Sequence, residues 1–115
     1  MVLIIEDNTD SGRVLTTMVS RMGHDVQYAV NGNVGMSYAK LFKPHVILLD
    51  LNLPGMNGYE VCRRVKQDPS TRHARVIIVS AYGDDEARAR AKAAGASVHL
   101  LKPVEHDVLE QLLSF

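Results

Sequence analysis

A single cysteine, Cys62, excludes any internal disulfide in this chain of 115 residues. The sequence has no apolar run long enough to cross a bilayer and no secretory leader pattern, so a reducing cytoplasm is the expected setting. It has no excess of charge of either sign. Lys plus Arg and Asp plus Glu number 13 each, for a formal net charge of +0, and the basic footprint of a nucleic-acid binder is missing. The partner expected is therefore a protein or a small molecule. Internal repeats, low-complexity segments and Pro/Ser-rich linkers are also missing. At this length the chain is one domain, large enough for a real core but too short for a second module. Met1 is followed at once by a strand-like run, and helical periodicity still continues at Phe115. Residues 1–115 are thus expected to be one unit cut from a longer chain.

What the sequence does contain is organised around the stretch from His45 to Gly58. Val46 to Leu49 is an unbroken branched-aliphatic run, the pattern of a parallel strand buried on both faces, and it stops abruptly at Asp50 before a Pro/Gly/Asn loop. Three more runs behave the same way. Val2 to Ile5 ends on Glu6 and Asp7, Val76 to Val79 delivers Ser80, and Val98 to Leu101 ends in Lys102-Pro103. Val26 to Val30 is a shorter strand, closed by the Asn31-Gly32 turn signal.

Helical patterns separate these strands. Val14, Leu15, Met18, Val19 and Met22 form an apolar stripe closed by Gly23, with Gly12, Arg13, Thr16, Thr17 and Ser20 on the opposite face. Val34, Tyr38, Leu41 and Phe42 fall on one side of a helix that Pro44 ends. Tyr59 to Gln67 turns Val61, Cys62 and Val65 inward, which makes Cys62 a small buried hydrophobe and Arg63, Arg64 and Lys66 a solvated face. Asp84 to Ala94 has no apolar side chain larger than alanine and is expected to be the least firmly anchored helix. Val104, Val108, Leu109 and Leu112 give the last stripe.

Five strands alternating with helices predict an α/β fold, a doubly wound five-stranded parallel sheet with helices on both faces. The order 2-1-3-4-5 sets the first strand beside the third. Glu6 and Asp7 then arrive next to Asp50, with Ser80 on its other side and Lys102 reaching in from the fifth strand. Crevices beyond the carboxyl ends of such strands are where ligands bind. A carboxylate at the centre of one suits nucleophilic attack on phosphorus, a reaction governed by positioning and charge neutralisation. Magnesium prefers one or two carboxylates plus retained waters, so Glu6, Asp7 and Asp50 suit it. Lys102 supplies a fixed cation, and Ser80 a hydroxyl that can follow the phosphoryl oxygen. His24, His45, His73 and His106 share no metal-site spacing.

In order and spacing, Ile-Glu-Asp-Asn, Leu-Leu-Asp-Leu-Asn-Leu-Pro-Gly-Met-Asn-Gly, Val-Ser-Ala-Tyr-Gly and Leu-Leu-Lys-Pro match the signatures of one family. Over essentially its whole length the chain resembles the receiver domain of two-component response regulators, with a flavodoxin-like fold. The resemblance implies that Asp50 is the phosphoacceptor, Glu6 and Asp7 the acidic pair, and Lys102 and Ser80 the assisting lysine and hydroxyl. It also implies that the Asn52 carbonyl joins Mg2+ and that Lys102-Pro103 is cis. The expected activity is self-catalysed phosphoryl transfer and slow dephosphorylation rather than enzymatic turnover. Two positions depart from the usual pattern: Glu6 replaces an aspartate, and His99 stands at the switch position usually held by Tyr or Phe. Tyr82 is a further candidate for gating or switching. The Val-His-Leu-Leu-Lys-Pro-Val ending and the Ser-Ala-Tyr-Gly loop look most like receivers of hybrid sensor histidine kinases, so a histidine kinase or a histidine phosphotransfer domain is the expected partner. A phosphorylation-inert interaction module keeps the same fold. A haloacid-dehalogenase-like phosphatase would place a second aspartate where Asn52 stands.

Overall fold

The computed structural model describes residues 1–81 and 83–114. Strands β1 (Val2–Ile5), β2 (Val26–Ala29), β3 (Val46–Asp50), β4 (Arg75–Ser80) and β5 (Val98–Leu101) alternate with helices α1 (Thr9–Arg21), α2 (Gly32–Phe42), α3 (Gly58–Gln67), α4 (Asp85–Ala93) and α5 (His106–Leu112). All strand pairs are parallel, in the order β2-β1-β3-β4-β5. The fold and strand order are those the alternation predicts.

Because successive side chains of a strand point to opposite faces, the apolar runs feed two cores. Leu3, Ile5, Ile47, Leu49 and Ile78 pack with α2, α3 and α4 residues such as Ala39, Val61 and Ala91. Val2, Ile4, Leu48, Ile77 and Val79 pack with Val19 of α1 and Leu109 and Leu113 at α5. This two-sided burial is the physical reason the runs lack polar alternation.

Local chemistry sets the helix ends. The side chains of Asn8, Asn31, Asn57 and Asp84 each accept a backbone N–H three residues on, at the starts of α1, α2, α3 and α4. Gly23 and Gly95 follow the ends of α1 and α4 with φ of 93° and 100°, a conformation costly for any residue with a Cβ. Before Pro44, Lys43 takes the left-handed conformation and its N–H closes α2 on the Ala39 carbonyl.

Most members of the predicted apolar stripes of α1, α2 and α5 face the core, but each stripe loses a large side chain to solvent. In α1 Val14 points outward, 60% exposed, whereas Gly12 is buried against the ring of Tyr28, where a Cβ would lie 2.5 Å from Cε1. In α2 Leu41 is 71% exposed, while Gly32, Gly35 and Ala39 are buried and the predicted Val34 and Tyr38 pack against the core. A Cβ on Gly35 would lie 2.4 Å from Ile5 Cδ1. In both helices a glycine gives the closest approach to the sheet and turns neighbouring large side chains into solvent. In α5 Val108 is exposed and Leu113, beyond the helix, fills the core. Strand β2 ends at Ala29, and Val30 is exposed.

Helix α4 buries only Ala87, Ala91 and the flanking Ala94. Side chains from α3 tie it down. The Arg90 guanidinium lies 4.2 Å from the centre of the Tyr59 ring, the Tyr59 hydroxyl donates to the Ala87 carbonyl at 3.3 Å, and the Cys62 thiol donates to the Ala94 carbonyl. Burial pushes the Cys62 thiol up to about 11, as expected of a packed rather than a reactive cysteine. The face predicted to be solvated is so at Arg63 and Arg64, which pair with Glu60, while Lys66 donates to the Arg72 and Ala74 carbonyls.

Candidate functional site

The register sets the site at the carboxyl edge of the sheet. Ile5 of β1 pairs with Leu49 of β3, so Glu6 emerges beside Asp50. On the other flank Asp50 pairs with Val79, which places Ser80 one residue beyond, and Ser80 in turn pairs with Leu101 of β5. The Lys102 N–H donates to the Ser80 carbonyl, and the following Lys102-Pro103 bond is cis, as the resemblance implied.

Asp50 is 5% exposed and Glu6 1%, whereas Asp7 lies in solvent. One oxygen from each of these carboxylates can be chosen so that all lie within 4.8 Å of one another. The Lys102 ammonium sits between the two buried acids, 3.3 Å from Asp50 Oδ2 and 3.4 Å from Glu6 Oε1. The backbone N–H of Asn52 donates to Asp50 Oδ1 at 3.3 Å. Glu6, Asp7, Asp50 and Lys102 therefore come together as the strand order predicts.

The electrostatics follow from two buried carboxylates sharing one ammonium, with the Asp7 carboxylate close by in solvent. Burial, reinforced by the neighbouring Asp50 carboxylate, raises Glu6 to about 7 even though Lys102 opposes the shift. Burial alone would depress Lys102, but the charges of Asp50 and Glu6 hold it above its ordinary value. The pocket is short of positive charge, and a metal ion bound there would relieve that. The donor set is all oxygen, with one carboxylate open to solvent, and this fits a hard divalent cation that keeps some of its waters.

Ser80 is fully buried, and its Oγ lies 2.7 Å from His99 Nε2, within hydrogen-bond distance. His99 sits opposite Ile78 in the register, so the contact is a diagonal across β4 and β5. The ring is half-buried. Burial lowers its pKa, with Arg88 adding to the shift and Asp84 opposing it. His99 is thus in contact with Ser80, one of the predicted site residues. Tyr82 lies outside the described residues.

Two contributors were missed in the sequence. The Tyr28 hydroxyl donates to the Glu6 carbonyl and fixes the turn that carries the acidic pair. The only signal for it was a lone aromatic side chain in the short strand β2. Gly58 presses the start of α3 against β3, and a Cβ there would lie 2.7 Å from the Asp50 carbonyl and from Leu51 Cα. Its signal was its place at the end of the Pro/Gly/Asn loop.

The family model for the response regulator receiver domain matches residues 2–114. The chain is a response regulator receiver domain. The receiver is 35% identical over 108 residues to the protein PilH of Pseudomonas aeruginosa, covering 94% of this chain and 89% of PilH. It is 33% identical over 108 residues to the response regulator PleD of Caulobacter vibrioides, of which it spans only 24% against 94% of this chain. Among solved structures, the signal receiver domain of a DNA binding response regulator from Colwellia psychrerythraea superposes with a TM-score of 0.90 at 30% identity, covering 96% of this chain and 92% of that one. Among the described residues no helix of the receiver is long and apolar enough to cross a membrane.

Proposed function

We propose that this receiver is the phosphoacceptor of a two-component phosphorelay, with Asp50 taking a phosphoryl group from a phosphohistidine. The observation that carries the proposal is the Lys102 ammonium held within 3.4 Å of both buried carboxylates, Asp50 and Glu6. A lysine so placed can meet the phosphoryl oxygens as charge builds on them. An Asp50 carboxylate oxygen attacks phosphorus, the bond from phosphorus to the donor imidazole breaks, and that nitrogen leaves with the electron pair. The product is an acyl phosphate on Asp50, which water cleaves slowly, so the domain signals rather than turning over substrate.

Mg2+ is the ion that suits this donor set, with Glu6, Asp7, Asp50 and the Asn52 carbonyl as the groups that would hold it. When bound, it neutralises phosphoryl charge and aligns donor and acceptor. Ser80, His99 and Tyr82 form the proposed switch, in which Ser80 responds to the new phosphoryl group and the α4 side of the sheet follows. The donor is a histidine kinase or a histidine phosphotransfer domain, in a cytoplasmic setting. A largely apolar recess lined by Val14, Leu15, Met18, Pro103 and Val104 opens directly on Lys102, and a helix carrying the phosphohistidine would seat there. The outward turn of Val14 supports this use. The hybrid-kinase affinity rests on the sequence alone.

Incubation with Mg2+ and acetyl phosphate followed by intact-mass measurement tests the proposal. The expected result is a gain of one phosphate that disappears in Asp50→Asn. Continuous phosphate release without a stable adduct would favour a phosphatase, and no change at all would favour an inert module.

A further inference from the structure

The contact between Ser80 and His99 has a definite chemical polarity. His99 Nδ1 is buried and finds no hydrogen-bond partner among the described residues, while Nε2 lies 2.7 Å from Ser80 Oγ. A neutral imidazole carries its proton on one nitrogen only. If that nitrogen were Nδ1, an N–H donor would be stranded in the interior, the rarest kind of unsatisfied polar group. With the proton on Nε2, only a lone pair is left without a partner and the donor is used, because a serine oxygen can accept. A second proton on the ring would again strand a donor at Nδ1. The nearby Arg88 works against that proton as well, while Asp84, also on the α4 side, favours it.

We propose that His99 is a positioning residue whose Nε2–H donates to Ser80 Oγ, so that the Ser80 proton is not given to the ring and can turn to a phosphoryl oxygen on Asp50 when one arrives. This rests on, and deepens, the phosphoacceptor reading. A hydroxyl that accepts one hydrogen bond is polarised into a better donor of the next. His99 therefore strengthens phosphoryl capture without touching the phosphoryl group.

The tautomer can be read on the unmodified protein by long-range proton–nitrogen correlation on histidine-labelled samples. The expected spectrum shows His99 neutral with its proton on Nε2, and a proton on Nδ1 would overturn the proposal. Affinity for beryllofluoride, a phosphoryl mimic, in the presence of Mg2+ supplies a second measurement. His99→Phe should bind it about three- to tenfold more weakly, the worth of one neutral hydrogen bond. His99→Gln, whose amide N–H can donate, should recover most of that loss. A wild-type affinity kept or exceeded in His99→Phe would overturn the positioning role. Failure of the wild-type protein to bind beryllofluoride would instead overturn the phosphoacceptor reading, and the tautomer would still test His99.

Discussion

Replacing Glu6 with glutamine should remove a pH dependence of stability that the wild-type pocket builds in. Burial and the Asp50 carboxylate raise Glu6 from 4.5 to about 7 in the folded protein. Below pH 4.5 the carboxyl is protonated in both folded and unfolded chains and costs nothing. As pH rises through that value the unfolded chain releases its proton while the folded one keeps it, so the folded state binds more protons and stability falls. The fall is complete once pH passes about 7. At ~1.4 kcal/mol per pH unit, that span amounts to about 3 kcal/mol.

Urea unfolding followed by far-UV circular dichroism, without divalent cations, measures this directly. With a denaturant slope of about 2 kcal/mol per molar, the wild-type midpoint should drop by roughly 1.5 M between acid and mildly alkaline pH. The Glu6→Gln midpoint should hardly move over the same range. Magnesium at alkaline pH should restore the wild-type midpoint, because a ligand binding only the folded state stabilises it by mass action, and should help Glu6→Gln less. If the wild type and Glu6→Gln lose stability in parallel across this window, the account of a charge-starved pocket is wrong.

Gly58→Ala should cost about 1–3 kcal/mol by thermal melting, because the added Cβ meets the backbone of Asp50 and Leu51 rather than a side chain that can swing away. Arg90→Ala should lower global stability by only about 0.5–1 kcal/mol while speeding amide hydrogen exchange selectively in α4, since the cation over Tyr59 is one of the few ties on a helix that buries only alanines. The native protein should resist thiol labelling at mildly alkaline pH, because the Cys62 thiol is buried and raised to about 11, and should react stoichiometrically once unfolded.

The acidic pair, Asp50 and Lys102 were legible in the sequence for one physical reason. Each follows an apolar strand run, and parallel strands deliver their ends to one edge whatever the details of packing. Helix facing was harder to read. An apolar stripe predicts that Val14 and Leu41 turn inward, but Gly12 and Gly35 let Tyr28 and Ile5 press closer than any larger side chain would allow. Small residues thus took part of the inner face beside the predicted large ones, a preference that hydrophobic periodicity does not register. The contact between Ser80 and His99 was beyond reach for another reason. It depends on the exact β4–β5 register and on side-chain directions, which neither residue type nor spacing specifies.

The pairing of Lys102 with Glu6 spans 96 positions of sequence. A chain that stops before β5, whether still emerging from a ribosome or clipped there, lacks the ammonium that Asp50 and Glu6 share. The charge balance of the pocket is therefore completed last, when the final strand joins the sheet.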